Sequence, residues 1–240
     1  MALLEVCVAD ADSLAAAIEG GADRIELCSA LELGGLTPGP GLIALAAQAP
    51  MPVMAMVRPR SGDFVFSRAD VEAMRADIEA IRTAGLAGVV LGASKPDGRL
   101  DEEVLKLLVE ASAGLALTLH RAIDLVPDWR DGIDLAIELG FERILTSGGA
   151  ANALAGRDTI ADMLAHAGER ITIMAGSGVT PANVADLLAG LLLKEVHSSC
   201  AATMLTAGEK AVALGFADPT RRQTKAEIVA ALKRAITGDS

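Results

Sequence analysis

The chain has 240 residues, close to the roughly 250 of one (β/α)₈ barrel, so we predict a single domain over residues 1–240. Hydrophobic residues make up 52% of the sequence, enough for a large core, and the net charge of −11 disfavours nucleic acid as a partner. No run approaches the ~18 apolar residues of a membrane span, and the opening residues lack a basic region. We therefore expect no membrane partner and a cytoplasmic location.

Short β-type runs alternate with helical runs along the chain. Between the runs, apolar residues recur at helical spacing, as in Val71, Met74, Ile78 and Ile81. Eight strands are predicted: Leu3–Val8, Asp23–Cys28, Pro52–Val57, Ala87–Leu91, Leu115–Leu119, Glu142–Thr146, Ile171–Met174 and Lys194–His197. Eight βα units predict an α/β fold, a closed (β/α)₈ TIM barrel with its core over about residues 3–200. A doubly wound open sheet is the alternative, but it usually has fewer strands.

The end of the chain departs from this repeat. Residues 205–224 contain no convincing strand, and we predict an extended loop that acts as a lid or an oligomer contact. A closing helix is predicted over residues 225–238, because its apolar positions share one face. These positions are Ile228, Val229, Leu232 and Ile236.

In this fold, working residues come from the carboxyl ends of the strands. Alternation places Glu5 beside Cys7 and Glu26 beside Cys28 on common faces. An ionised carboxylate in a dry core is costly unless it is paired, so such glutamates indicate function, with salt bridges to Arg58 as the alternative. Histidines near neutral pH can shuttle protons. The candidate catalytic residues are Glu5, Glu26, His120, Asp124 and His197.

Cysteines occupy equivalent positions on the first two predicted strands. The three cysteines of the chain form no disulfide framework, which indicates a reducing compartment. Two thiolates, Cys7 and Cys28, would suit Cu(I) better than a hard cation. The alternative is packing, because free cysteines are often buried; Cys200 has no visible partner and is expected to be structural.

Glycine turns follow the sixth and seventh predicted strands, where barrels often hold phosphate through backbone amides. Tight turns without a ligand would also select glycine. Arginines strengthen an anion site because each can grip a phosphate or carboxylate with a planar fork. The candidate anion-binding residues are Arg58, Arg60, Arg121, Ser147, Gly148, Gly176, Ser177 and Gly178.

Several ordered blocks resemble the CutC family of copper homeostasis proteins, from Leu4 to about Thr224. The matching blocks are Leu4–Val8, Gly20–Cys28, Gly34–Pro38, Val57–Phe64, Thr118–Asp124, Ile144–Gly149, Ile173–Val179 and Glu195–Ser199. The resemblance implies a (β/α)₈ barrel in the cytoplasm, a homo-oligomer such as a dimer or tetramer, and Cu(I) as the ion. It also implies that Cys7 and Cys28 are the metal ligands.

Two functions remain open at this point. The first is a copper homeostasis protein that binds Cu(I). The second is a barrel enzyme, of a proton-transfer, isomerase or lyase type, acting on a small anionic metabolite with or without a phosphate group. The mouth holds more ionisable side chains than a copper carrier requires, which favours an enzyme. The residues do not decide whether a reaction is catalysed.

Overall fold

Eight parallel strands close into a barrel in the computed structural model, which describes residues 2–206 and 208–238. The strands are β1 Leu3–Val8, β2 Arg24–Leu27, β3 Val53–Met56, β4 Gly88–Leu91, β5 Ala116–Leu119, β6 Arg143–Thr146, β7 Thr172–Ala175 and β8 Glu195–Ser198. They follow one another around the barrel in chain order, and β8 pairs with β1 to close it. The predicted (β/α)₈ barrel and its eight strands are confirmed, and the open sheet is excluded.

Helices follow the barrel strands. They are α1 Ala11–Glu19, α2 Pro40–Ala46, α3 Arg68–Thr83, α4 Glu102–Ala111, α5 Trp129–Glu138, α6 Arg157–Ala167 and α7 Val184–Leu188. The longest, α3, begins at a capping box in which the Ser67 hydroxyl accepts from the Asp70 amide and the Asp70 carboxylate accepts from the Ser67 amide. Its four buried residues are the apolar stripe predicted from the sequence, and this stripe covers the sheet.

Alternate residues of each strand belong to two different cores. Leu4, Val6 and Val8 of β1 pack outward in one large cluster with helix residues such as Leu14. A separate small cluster inside the barrel contains Cys28, Met54, Met56 and Val90. The residues between the outward-packing positions therefore point into the barrel, where Glu5, Cys7 and Glu26 lie.

A flap follows β8, where the sequence predicted only an extended loop over 205–224. Strands β9 Ala201–Leu205 and β10 Thr220–Thr224 pair antiparallel, and the short helix α8 Glu209–Ala213 lies between them. The prediction of no strand was wrong because the β10 sequence, Thr-Arg-Arg-Gln-Thr, is polar and carries no hydrophobic signal. Residue 207 of the predicted loop lies outside the described residues, as do residues 1, 239 and 240 of the predicted domain.

The closing helix α9, Ala226–Thr237, lies within the predicted range 225–238. Its residues Val229, Leu232 and Ile236 are buried, and Ile228 is half-buried against the main core. Among the helices of residues 2–206 and 208–238, none is long and apolar enough to cross a membrane.

Candidate functional site

A cavity of about 1270 Å³ opens at the carboxyl ends of the barrel strands. The strand ends and the flap line it together, with Cys7, Glu26, His120 and His197 at its inner wall and Arg222 among the flap residues. This position is where the fold places ligand sites, because the loops after the strands converge there.

Three side chains of different chemistry converge inside this cavity. One potential ligand atom from each of Cys7, Glu26 and His197 lies within 4.8 Å of the other two, and all three residues are buried. The His197 Nε2 atom is 3.0 Å from Glu26 Oε2. They meet because β1 pairs with both β2 and β8, which places Cys7 beside Glu26 and Glu5 beside His197 in the register. We call these three residues the mouth cluster.

The mouth cluster is electrostatically coupled. Burial disfavours the charged imidazole, but the facing Cys7 sulfur and Glu26 carboxylate outweigh it and raise the pKa of His197 well above its ordinary value. Burial likewise disfavours the Glu26 carboxylate, but attraction to His197 and hydrogen bonds from His197 and Cys28 leave the pKa of Glu26 lowered. The pair is therefore an imidazolium–carboxylate pair in the absence of a metal.

Two buried carboxylate oxygens in this region have no hydrogen-bond partner among the described residues, Glu26 Oε1 and Glu5 Oε1. Glu5 Oε1 is 4.0 Å from His197 Nε2. Because a buried polar atom without a partner is costly, these oxygens are suited to a cation entering beside His197. A thiol, an imidazole and a carboxylate together fit a copper ion, and they also fit zinc.

Cys28, the other cysteine of the predicted pair, lies outside the mouth cluster. It is completely buried, packs among Met54, Met56 and Val90, and donates to Glu26 Oε2 at 3.6 Å. Burial and the neighbouring Glu26 raise the pKa of the Cys28 thiol well above its ordinary value. Cys200 is also buried, and burial raises its pKa to about 11.

Glu5 is held by an arginine that the sequence analysis did not single out. Arg24 of β2 is buried in the barrel and donates to Glu5 and to Glu195 of β8. Burial raises the pKa of Glu5 even though Arg24 opposes this effect, and the carboxylates facing Arg24 raise its pKa. Strand alternation puts Arg24 on the same face as Glu26, which was the available signal. Arg24, and not the suggested Arg58, is the salt-bridge partner of Glu5.

His120 lies at the end of β5 on the inner wall of the cavity. Its Nδ1 atom accepts from the Ala122 amide at 3.1 Å, so the neutral ring carries its proton on Nε2. Nε2 is buried and has no partner among the described residues. Burial, and then the positive charge of Arg58, lower the pKa of His120 to about 4. His120 therefore offers an N–H donor, and not a charge, at neutral pH.

Asp124 does not line the cavity, because the loop after β6 surrounds its carboxylate. The amides of Ser147 and Gly149 donate to this carboxylate at 3.1 to 3.2 Å, and the Ser147 hydroxyl donates at 3.0 Å. The Gly148 amide donates to the Thr146 hydroxyl oxygen at 2.8 Å. The turn expected to hold an external anion thus binds the chain's own carboxylate.

The three predicted anion-binding arginines take different positions. Arg58 donates to the carbonyls of Leu33, Gly35 and Gly62 at 2.7 to 3.0 Å, so it fastens loops. Arg60 lies away from the cavity, where it pairs with Asp63 and Asp70. Arg121 lines the cavity, donating to Asp124 Oδ2 and to Ser147 Oγ at 2.7 Å each.

Two residues of the loop after β7, Ser177 and Gly178, have amides that are not used within the described chain. Ser177 and Gly178 line the cavity and both have a left-handed backbone, with φ of 77° and 71°. Neither of their amides donates a hydrogen bond to another described residue. Gly176 lies deeper, where a Cβ would meet Leu145 and His197, so glycine is required by the close approach of these side chains.

Two further arginines reach the cavity from the flap, Arg221 and Arg222 of β10. Neither residue was among the anion-binding residues predicted from the sequence. Their relevance depends on the fold of the flap, which brings β10 over the mouth.

The fold and the mouth cluster define a class of protein, a (β/α)₈ barrel with a thiol–imidazole–carboxylate group at its ligand-binding end. The model of the CutC family matches residues 2–202. The chain belongs to the CutC family, as the resemblance in the sequence indicated.

Relatives agree with this assignment. A protein named as a CutC family protein from Sinorhizobium medicae is 55% identical over 231 residues, which is 96% of this chain and 94% of that protein. One from Caulobacter vibrioides is 52% identical over 236 residues, 98% of this chain and 96% of that protein. A crystal structure of CutC from Streptococcus agalactiae, presented as a candidate copper homeostasis protein, has a TM-score of 0.79 at 32% identity and covers 83% of this chain and 99% of that one.

Proposed function

We propose that this chain binds a copper ion in the cytoplasm through Cys7, His197 and Glu26. The observation that carries the proposal is the convergence of one donor atom from each residue within 4.8 Å inside the cavity. The name and the structural likeness of the S. agalactiae protein support copper as the ion. The homo-oligomer expected from the resemblance remains a prediction.

The donor set gives reasons for this choice of ligands. Thiolate and imidazole are the donors that Cu(I) prefers, and both belong to residues that line the cavity, Cys7 and His197. Cys28 is not part of the cavity wall, and releasing its proton is made costly by burial and by Glu26. We therefore place Cys7 at the centre of the site and Cys28 outside it. Glu26, charged and buried, offsets the positive charge of the ion.

The test is competition of the reduced protein with a chromophoric chelator for Cu(I). Cys7→Ser is compared with Cys28→Ser and Cys200→Ser, which are matched variants of two other buried thiols. We expect one equivalent to bind, a loss of about tenfold or more in affinity for Cys7→Ser, and little change for the other two. A His197→Asn variant should weaken binding as well.

Two results would contradict this site. Absence of tight binding by the wild type would remove the copper proposal. If Cys7→Ser and Cys28→Ser lose Cu(I) affinity equally and His197→Asn loses none, the ligands are the cysteine pair that the sequence predicted. Tighter binding of Zn²⁺ than of Cu(I) would indicate that the same three residues bind zinc and not copper.

A second candidate is an enzyme that moves protons on a small anionic metabolite. One observation favours it: the His120 N–H donor and the coupled Glu26–His197 pair line the same cavity. Glu26 and His197 could exchange a proton with a bound molecule while His120 donates a hydrogen bond to its oxygen. Deuterium wash-in from D₂O, followed by proton NMR over a panel of oxo-acids and sugar phosphates, tests this. Exchange must occur in the wild type and disappear in Glu26→Gln; its absence across the panel contradicts the candidate.

A further inference from the structure

We propose that the mouth of the barrel contains an oxyanion site between the flap and the loops after β5 and β7, formed by Arg121, Arg221, Arg222 and the amides of Ser177 and Gly178. Its ligand is a small organic anion that carries a phosphate or carboxylate group. The inference is independent of the copper site, which occupies the β1–β2–β8 side of the same cavity.

Three of the four arginines that line this cavity, Arg121, Arg221 and Arg222, belong to the loop after β5 and to the flap; the fourth, Arg58, follows β3. Three of its acidic residues, Asp10, Glu26 and Glu32, belong to the first two βα units, and the flap contributes Asp218. The chain as a whole has 32 acidic and 21 basic residues, so an arginine group at the ligand end of the barrel runs against its composition. Such a group attracts anions to one wall of the cavity.

Within residues 2–206 and 208–238, no carboxylate pairs with either flap arginine, Arg221 or Arg222. Most other arginines of the described chain form ion pairs. Arg222 makes one polar side-chain contact, to Ser199 Oγ at the end of β8, at 3.3 Å. Their guanidinium groups therefore lack a carboxylate partner in the described chain and can bind an anionic ligand at the cavity.

Backbone amides complete the set of donors at the anion site. The loop after β6 shows what such a turn does in this barrel, because its amides bind the Asp124 carboxylate. The loop after β7 has no internal carboxylate, and the amides of Ser177 and Gly178 are unused by the described residues. Arg121 donates to Ser147 of the loop after β6 and lines the same cavity as Ser177 and Gly178. An external oxyanion would meet the same kind of donors that Asp124 meets.

His120 extends the site inward. Its Nε2–H is a buried donor without a partner in the described chain, on a residue only 3% exposed that lines the cavity. A neutral donor at the inner end selects an uncharged oxygen, such as a hydroxyl or carbonyl, on the body of the ligand. The ligand class is thus an anion with a polar carbon skeleton, not a bare inorganic ion.

Binding of inorganic phosphate to the metal-free protein tests whether the arginines form an anion site. Isothermal titration at constant ionic strength would compare wild type with Arg221→Gln, Arg222→Gln and the control Arg75→Gln, which removes one arginine from the outer face of α3. We expect weakening of about fivefold for each flap variant and no change for the control. No binding by the wild type up to about 10 mM phosphate, or equal weakening in the control, would overturn the site.

A second titration tests the inner donor. Glycerol 3-phosphate should bind the wild type more tightly than inorganic phosphate, and His120→Phe should abolish that difference while leaving the affinity for inorganic phosphate unchanged. Equal affinities of the two ligands for the wild type would contradict the role of His120. Because both titrations omit metal, loss of copper binding and loss of anion binding are separate results.

Discussion

The Nε2 atom of His197 lies 3.0 Å from the Oε2 atom of Glu26, although the two residues are 171 positions apart in the chain. Both side chains are buried at the mouth of the barrel, and Cys7 completes the cluster. Because each charge stabilises the other where burial weakens solvation, removal of either one changes the protonation of its partner.

Replacing Glu26 with glutamine should lower the pKa of His197 toward its ordinary value. The facing carboxylate is one of the two groups that hold this pKa up against burial, and glutamine removes its charge while keeping its shape. NMR titration of the imidazole ring in metal-free protein measures the change. Asp134→Asn is the matched control, because it removes the carboxylate 3.0 Å from His166 on the outer surface and should leave His197 unaffected.

Acid should destabilise the fold through His120. Burial and Arg58 lower its folded pKa to about 4, whereas the unfolded chain has its ordinary value of about 6.5. The unfolded state therefore binds the proton first, and the free energy of unfolding falls as the pH drops from about 6.5 to 4, by on the order of 3 kcal/mol. Urea unfolding of wild type and His120→Gln across this range checks the sign. If the free energy of unfolding depends on pH in the same way in both proteins, His120 does not contribute.

Arg24→Met should be strongly destabilising, by about 3–5 kcal/mol, because it leaves the buried Glu5 carboxylate without its cation. Glu5 can take up a proton instead, so the loss should be larger at about pH 8 than at about pH 5.5. Adding Glu5→Gln should restore part of the stability. A double-mutant cycle by urea unfolding measures the coupling; a loss below about 1 kcal/mol for Arg24→Met would show that the ion pair is not needed.

Gly156→Ala should destabilise the protein by about 1–3 kcal/mol. A Cβ at Gly156 would collide with the backbone carbonyl of Ser147, and a backbone atom cannot move aside as a flexible side chain can. Gly41→Ala is the contrasting variant, because it lies in helix α2 with nothing within 4 Å of the added atom. That change should stabilise by about 0.5–1 kcal/mol. Thermal unfolding of both variants gives the comparison.

The strands of the barrel were predictable because their signal is local. The run Leu3–Val8 is apolar at every position except Glu5, and the apolar residues of the helices repeat at 3.6 residues, so the spacing of hydrophobic residues separates strands from helices. The inward positions of Glu5, Cys7 and Glu26 followed from alternation along a strand. Strand β10 is polar and carries no such signal, and for this reason its pairing with β9 was missed.

The sequence by itself therefore determined the fold class, the family and several of the ionisable residues that reach the mouth, among them Glu26, His120 and His197. The tertiary structure decided which of them meet. Pairing of β8 with β1 brought His197, and not Cys28, into one group with Cys7, and pairing of β1 with β2 set Arg24 beside Glu5. In the tertiary structure, the turn after β6 binds the Asp124 carboxylate, and the fold of the flap places Arg222 in the cavity lining. Those contacts join residues far apart in the chain, and only long-range strand pairing and packing fix the distances between them.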